Sequence, residues 1–97
     1  MGLISLAYAV SYHPAVVKED IPSLGSRDKE RIRRAIEQKL MTQPDLFGVP
    51  LRRSLKGYWK LRVGDYRVVY RIEGHQVFIF IICHRSDAYR TADRRSS

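Results

Sequence analysis

The sequence predicts an α+β domain in which helices are followed by antiparallel strands. Three observations lead to this prediction. Apolar residues recur at helical spacing within residues 26–40, a β-hairpin is centred on residues 64–65, and residues 77–84 form a continuous apolar run. The chain has 97 residues, which is long enough for a two-layer core. We therefore expect one domain over residues 1–97.

Composition is compatible with a polyanionic or acidic partner and, equally, with a solvated basic surface. The chain has 18 Lys+Arg against 10 Asp+Glu, a formal net charge of +8 and a pI of about 10.1. Such a balance is typical of proteins that bind RNA, DNA or an acidic protein, although a solvated surface without a partner would have the same composition.

Cysteine usage and the N-terminal segment indicate the compartment. Cys83 is the only cysteine, so the chain has no internal disulfide and no Cys-based zinc site. Residues 3–10 are apolar, but they have no cationic leader and are far shorter than a membrane span. We expect a cytoplasmic protein with no membrane contact and no metal.

The first third of the chain predicts a strand followed by two helices. Residues 7–13 have strand character and stop at Pro14, which can open a helix because its missing N–H would have no intrahelical partner. Pro22 predicts the end or distortion of this helix. Its apolar stripe is Val17, Ile21 and Leu24.

The second helix has clearer boundaries and a clearer apolar face. Ser26 is a candidate N-cap, Asp28 lies in the first turn, and Pro44 ends the helix before a connector at residues 44–50. The opposite face is basic, and we interpret it as solvated. The buried face is predicted to contain Ile32, Ala35, Ile36 and Leu40.

Gly64 and Asp65 form the turn of the predicted hairpin. Glycine at the first central position suits a two-residue type II′ turn, which places Val63 opposite Tyr66 and sets the register of both strands. One face, here called the core face, then contains Trp59, Leu61, Val63, Tyr66, Val68, Tyr70 and Ile72. The other, here called the cationic face, contains Tyr58, Lys60, Arg62, Arg67 and Arg71 together with Val69.

The last strand is predicted from residues 77–84. Its unbroken apolar character is typical of a strand that is covered on both sides. A turn centred on Gly74-His75 would place Arg67 opposite Ile82, which directs Cys83 toward the core as a buried, inert thiol. On this register the cationic face also receives Phe78, Phe80, Ile82 and His84.

The order strand, helix, helix and three strands, together with residues 55–72 and the later HRSDAY segment, resembles the RelE/ParE toxin superfamily of bacterial toxin–antitoxin systems. The resemblance runs from about Leu6 to Arg90, so the domain core is expected at about 6–90, followed by a flexible basic tail at 91–97. The residues that carry the resemblance most specifically are Lys60-Leu61-Arg62, Gly64, Tyr66-Arg67-Val68, Tyr70, His84-Arg85 and Tyr89.

The resemblance implies a two-layer α+β fold with a four-stranded antiparallel sheet in the order 1-4-3-2. Two helices would pack on one face, and an open basic cleft would lie on the other. RelE-type members cleave mRNA in the ribosomal A site without a metal or cofactor, and a cognate antitoxin encoded beside them holds them inactive. ParE-type members inhibit DNA gyrase and have no nuclease activity. The resemblance thus implies a ribosome-dependent mRNA endonuclease, with gyrase inhibition as the alternative.

Metal-free RNA cleavage requires deprotonation of the 2′-OH, stabilisation of charge on the phosphate and protonation of the 5′-oxygen. The resemblance carries Lys60, Arg67, Arg85 and Tyr89 onto positions that serve these tasks. Arg67 and Arg85 would clamp phosphate, and Lys60 would place a positive charge near the nucleophile or transfer a proton. His84 is the candidate general acid or base, because its unperturbed pKa lies near neutrality. Tyr89 would stack on a base, position the 2′-OH or share the proton transfer.

Three further residues on the cationic face are predicted to bind RNA: Tyr58, Arg62 and Arg71. Without the resemblance, arginines at alternate strand positions are more often part of a solvated sheet face, and His84 would be read as a half-buried histidine. The antitoxin is expected to be acidic or amphipathic and to lay a helix in an apolar groove. It would act by masking Arg67 or by displacing the segment that carries Tyr89.

Overall fold

A five-stranded mixed sheet organises the chain. The structure is a computed structural model that describes residues 7–96, so the start of the apolar segment 3–10 and the expected domain boundary at Leu6 lie outside the described residues. The strands are β1 (Ala9–Tyr12), β2 (Val49–Pro50), β3 (Tyr58–Val63), β4 (Tyr66–Glu73) and β5 (Gln76–His84). The helices are α1 (Ser26–Ala35), α2 (Pro44–Phe47) and α3 (Ala88–Ser96). Shorter turns are π-helical at Val16–Asp20 and Ile36–Leu40, and 3₁₀ at Arg53–Leu55 and Arg85–Asp87.

The strand order is β1-β5-β4-β3-β2, so the predicted order of the four longer strands is confirmed. The prediction of a four-stranded antiparallel sheet was wrong in two respects. Strand β1 runs parallel to β5, because the helices that follow β1 carry the chain back across the sheet before β3 begins. In addition, β2 forms a fifth strand, in which Val49 and Pro50 pair with Lys60 and Trp59 of β3 at the sheet edge.

The β3–β4 hairpin has the predicted register. Val63 pairs with Tyr66, Leu61 with Val68 and Trp59 with Tyr70. Gly64 has a φ of 59°. A two-residue turn with positive φ at its first central residue alone is of type II′, and this is the turn that glycine at that position favours.

The predicted register between β4 and β5 is correct from the connecting turn as far as Tyr70 and Ile79, and it was wrong beyond that pair. Tyr70 pairs with Ile79, but Val69 pairs with Ile81, so Phe80 is an extra residue in a β-bulge. The bulge moves every later residue of β5 by one position, and Arg67 faces Cys83 instead of Ile82.

Two apolar clusters lie on opposite faces of the sheet. The larger contains the core face of the hairpin, with Leu61, Val68 and Tyr70 buried and Trp59 partly buried, as predicted. Helix α1 and its π-helical continuation cover it with Ile32, Ile36 and Leu40, which confirms the predicted helical face. The smaller cluster lies on the cationic face and consists of Leu55, Val69, Phe80, Ile81 and Ala92.

Helix α3 provides the cover of this smaller cluster. The sequence predicts a flexible tail from residue 91, whereas in the structure the helix continues to Ser96 and buries Thr91 and Ala92. The cationic face is therefore only partly open, because α3 and the turn Arg53–Leu55 pack on it beside the hairpin.

The N-terminal helical segments follow the prediction with small differences. The helix begins at Pro14 and becomes π-helical at Val16–Asp20, and Val16 is fully buried although it lies outside the predicted stripe. The N-cap of α1 is Gly25 rather than Ser26, which is the first helical residue. The exposed face of α1 is solvated as predicted, with Arg33 paired to Glu37 at 2.8 Å. No helix within residues 7–96 is long and apolar enough to cross a membrane.

Tyr70 requires a glycine at position 48. Its ring is buried, and its hydroxyl donates a 2.6 Å hydrogen bond to the carbonyl oxygen of Pro44. A Cβ atom at Gly48 would overlap this hydroxyl. The contact joins the centre of the sheet to α2 and so holds the segment that leads to β2.

We expect Gly48→Ala to lower the free energy of unfolding by about 1–3 kcal/mol, because the new methyl group must displace a buried tyrosine. This loss outweighs the gain of about 0.4–1 kcal/mol from a stiffer unfolded chain. Urea denaturation followed by tryptophan fluorescence would measure it. The matched comparison is Gly48→Ala in a Tyr70→Phe background, because the closest overlap is with the tyrosine hydroxyl, which phenylalanine lacks. An equal loss of stability in both backgrounds would contradict the proposed overlap.

Candidate active site

A cleft of about 260 Å³ opens on the cationic face between the β3–β4 hairpin and the start of α3. We call it the cationic cleft. Its polar lining contains four of the five residues predicted to be catalytic, and its floor is apolar. The lining residues are Leu51, Leu55, Lys60, Arg67, Val69, Arg85, Ala88 and Tyr89. A wider depression of about 570 Å³ adjoins it on the side of residues 49–54 and shares Leu51, Lys60 and Tyr89 with it.

Arg67 is held by the hairpin turn. Its Nη1 donates hydrogen bonds of 3.0 Å to the Gly64 carbonyl and 2.8 Å to the Tyr66 carbonyl. A guanidinium has five N–H donors, so an Nη1 anchored on the backbone leaves the other nitrogens to bind an anion with a fixed orientation.

Arg62 lies directly opposite Arg67 in the hairpin and is exposed. Like charges on cross-strand neighbours destabilise a sheet. Such a pair is consistent with a surface that meets a polyanion, whose phosphates would neutralise both guanidinium groups.

Arg85 is tied to the same turn from the end of β5. Its backbone N–H donates a 2.8 Å hydrogen bond to the Asp65 carbonyl, and its Nε lies 4.0 Å from Asp65 Oδ1. The side chain is 60% exposed, so this ion pair leaves the guanidinium accessible. Contacts with the hairpin turn therefore hold both Arg67 and Arg85 at the cationic cleft.

Lys60 and Tyr89 occupy the other side of the cleft. Lys60 lies in the middle of β3, opposite Val69, and is half-buried. Tyr89 lies in the first turn of α3 and is 65% exposed. An exposed aromatic ring beside three cations is suited to stacking on a base whose phosphate the cations hold.

His84 does not reach the cationic cleft. It pairs with Tyr66, and the two rings meet edge to face with their centroids 5.8 Å apart. Tyr66 belongs to the core face, so the expected placement of His84 beside Arg67 was wrong, and so was that of Ile82. The cause is the bulge at Phe80, which reverses the facing of all later residues of β5.

Two of the three residues predicted to bind RNA are engaged elsewhere. Arg71 stacks over the rings of Tyr58 and Phe78, donates a 3.2 Å hydrogen bond to the Tyr58 hydroxyl, and pairs with Glu73 at 2.9 Å. This group lies toward the far end of the hairpin, outside the lining of the cationic cleft.

Leu51, Leu55 and Asp93 are among the residues that line the cleft or its continuation and were not predicted from the sequence. Leu51 and Leu55 lie beyond the predicted connector, and Asp93 lies in the expected tail. The four-residue spacing of the two leucines is a weak apolar signal that could have indicated Leu51 and Leu55 as part of a buried turn. Within residues 7–96, no three His, Cys, Asp or Glu side chains are grouped so that they could hold a metal ion.

Cys83 faces the same side as Arg67, which corrects its predicted placement toward the core. It packs against the smaller apolar cluster, and burial raises the pKa of its thiol to about 11, with a smaller contribution from Asp20. The thiol is therefore protonated at neutral pH and is a poor nucleophile.

Alkylation of Cys83 by iodoacetamide at pH 8 should be roughly 10- to 100-fold slower in the folded protein than in urea, because a raised pKa leaves little thiolate. The rate should keep rising with pH beyond the pKa of an ordinary cysteine. Mass spectrometry after timed quenching would follow the reaction. Equal rates in folded and unfolded protein would show that the thiol is not buried as described.

Solved structures with the same fold define the class of protein. The chain is 32% identical to a chain of the toxin–antitoxin complex RelBE2 from Mycobacterium tuberculosis, with a TM-score of 0.75 over 84% of this chain and 94% of that one. The isolated RelE toxin from E. coli has the same fold, with a TM-score of 0.67 and 21% identity over 94% of this chain and 100% of that one.

Sequence comparison then identifies the family. Residues 12–89 match the family described as the ParE toxin of type II toxin–antitoxin systems, so the chain belongs to this family within the RelE/ParE superfamily. A 53-residue segment is 47% identical to the toxin RelE of Mycobacterium tuberculosis, which is 53% of this chain and 55% of that protein. The match to the toxin RelG of the same organism, at 42% identity, also spans 53 residues and covers 61% of RelG. The chain thus spans little more than half the length of the curated relatives it matches.

Proposed function

We propose that this protein is the toxin of a type II toxin–antitoxin system and cleaves mRNA on the ribosome. The observation that carries the proposal is the convergence of Lys60, Arg67, Arg85 and Tyr89 in one cleft, although they come from two strands, a turn and a helix. A protein that inhibits gyrase by binding has no need for a phosphate clamp beside a proton donor, so the cleft favours catalysis over the gyrase alternative.

In the proposed mechanism each side of the cleft has a role. Arg67 and Arg85 bind the scissile phosphate and stabilise the charge that develops on it in the transition state. Lys60 and Tyr89 face them, so deprotonation of the 2′-OH and protonation of the 5′-oxygen are divided between these two residues. Because His84 lies on the core face, it takes no part in this scheme.

RNA binding outside the cleft is assigned to Arg62. It is exposed next to Arg67, where it can contact the next phosphate of the strand. Tyr58 and Arg71, by contrast, stabilise each other at the far end of the sheet, so they contribute mainly to the fold.

We further propose a cognate antitoxin as protein partner, since the solved RelBE2 structure that this chain resembles at 32% identity is a toxin–antitoxin complex. An apolar groove of about 360 Å³ lies on the other face of the protein, between the first helical segment and α1. Its basic rim, Lys29 and Arg33, suits an amphipathic helix with acidic flanks. The groove is lined by Tyr12, Val17, Ile21, Leu24, Ile32, Ile36 and Ile82 together with these two cations.

Arg67→Ala should lower ribosome-dependent cleavage by at least about 100-fold, because it removes a preorganised donor from the scissile phosphate. Purified protein added to a reconstituted translation reaction, with mRNA breaks mapped by primer extension, would measure this. Arg34→Ala is the matched control: it removes the same charge from the solvated face of α1, where Arg34 is 61% exposed. Wild-type cleavage by Arg67→Ala would refute the proposed clamp. Absence of cleavage by folded wild-type protein would refute the endonuclease and lead to a DNA supercoiling assay.

His84→Gln should cleave mRNA within about threefold of the wild-type rate, because the ring lies on the core face and not in the cationic cleft. Loss of the edge-to-face contact with Tyr66 should instead lower the free energy of unfolding by about 0.5–1.5 kcal/mol. Measurement of both quantities on one preparation separates chemistry from packing. A variant of normal stability that fails to cleave would restore His84 to the mechanism.

A further inference from the structure

Helix α3 is attached to the sheet by a small apolar contact. Within residues 7–95, Ala92 is the only apolar side chain of this helix that is fully buried, and the exposed side chains include Tyr89 and Arg94. The methyl groups of Ala92 and of the buried Thr91 contribute little to the free energy of docking a nine-residue helix. The position of α3, and with it the position of Tyr89, must depend on further contacts.

A buried ion pair supplies them at the far end of the helix. Arg95 Nη1 lies 2.7 Å from Asp20 Oδ2, and Arg95 Nη2 lies 3.0 Å from Asp20 Oδ1. The two side chains are 7% and 8% exposed, so water does not screen this bidentate contact. Asp20 ends the π-helical turn after β1, and the pair therefore joins this turn to the last helix of the described chain.

Both partners also bind the irregular part of β5. Arg95 Nη1 donates a 3.0 Å hydrogen bond to the Phe80 carbonyl, and Asp20 Oδ2 accepts a 2.9 Å hydrogen bond from the Ile82 backbone N–H. Strand β1 pairs with β5 only as far as Ile79, so these backbone groups lie beyond its reach. The ion pair thus provides hydrogen-bond partners for backbone groups at the β-bulge and also holds α3 against the sheet. Its loss would leave polar groups buried without partners.

We propose that Asp20 and Arg95 are positioning residues that hold α3 in place and thereby keep Tyr89 over the cationic cleft. Tyr89 and Arg95 lie on one helix, about 9 Å apart along its axis at 1.5 Å per residue. A helix released at Arg95 can tilt about its connection to β5 and move the tyrosine ring. The part of this inference that concerns cleavage rests on the proposed function, while the part that concerns α3 does not.

The test compares Asp20→Asn and Arg95→Met with wild-type protein in two measurements. The first is amide hydrogen exchange, followed by mass spectrometry, in which α3 is compared with the β3–β4 hairpin. The proposal expects faster exchange in residues 88–95 and unchanged protection in the hairpin. Glu19→Gln is the matched control, because it removes a neighbouring carboxylate that is 68% exposed and lies 3.8 Å from Arg95.

The second measurement is ribosome-dependent cleavage in a double-mutant cycle with Tyr89→Ala. Asp20→Asn should lower the maximal rate by about 10- to 100-fold, with little change in the concentration for half-maximal cleavage, because misplacement of a catalytic group affects the chemical step. In the Tyr89→Ala background the same substitution should have little further effect, since the residue it positions is absent.

Each outcome decides the proposal. Equal protection of α3 in wild type and both variants would overturn it, as would full additivity with Tyr89→Ala. Exchange that rises equally in α3 and in the hairpin would show that the pair only stabilises the whole domain. If Asp20→Asn does not fold, Arg95→Met decides alone, because methionine keeps much of the apolar volume of the buried arginine stem. If wild-type protein does not cleave mRNA, the proposed function fails, but the exchange experiment still tests the position of α3.

Discussion

The bulge in β5 is the constraint on which the arrangement of this protein depends. One extra residue at Phe80 places Phe80 and Ile81 in the same apolar cluster. Each later side chain of the strand then lies on the face opposite to the one it would occupy in a regular strand. As a result Cys83 follows Arg67 on the cationic face, and His84 packs against Tyr66 on the other. A regular ladder would have exchanged these two residues and placed a histidine in the cleft.

A bulge leaves backbone groups that the strand ladder does not satisfy. Asp20 and Arg95 supply partners for the groups on either side of Ile81, and this explains why two charged residues are buried in a small domain. Their mutual attraction need not add stability by itself, since desolvation opposes it. Its structural consequence is specific: it joins β5, the first helical segment and α3 in one arrangement.

The cationic face combines two opposing demands. Its centre is apolar, because Val69, Phe80 and Ile81 pack beneath α3 and the turn at Leu55. Its rim is positively charged, and there Arg62 and Arg67 lie side by side although their like charges repel each other. The apolar floor gives the cations a rigid support and lowers the local dielectric, and both effects strengthen an interaction with phosphate.

Most of the hairpin and helical layer could be predicted from sequence, because their signals are local and periodic. The Gly64-Asp65 turn determines the pairing of β3 with β4, and the 3.6-residue period locates Ile32, Ile36 and Leu40. Lys60, Arg67, Arg85 and Tyr89 were likewise predicted, through the resemblance, as one group, and the structure brings them together. The role of each in catalysis stays a prediction. Local signals did not predict that His84 lies on the core face, or that residues 91–95 form part of a helix.

The sequence by itself determined the α+β class, the hairpin register, the core face and the family pattern of cations, since each follows from neighbours in the chain. Only the tertiary structure decided the bulge, the parallel pairing of β1 and the docking of α3. The run VFIFIIC is apolar on both faces and has no period of two, so an inserted residue changes no visible pattern. Asp20 and Arg95 are 75 residues apart, and no local signal relates them. Their pairing arises only when the folded sheet leaves a carbonyl and an N–H that these two side chains can reach together.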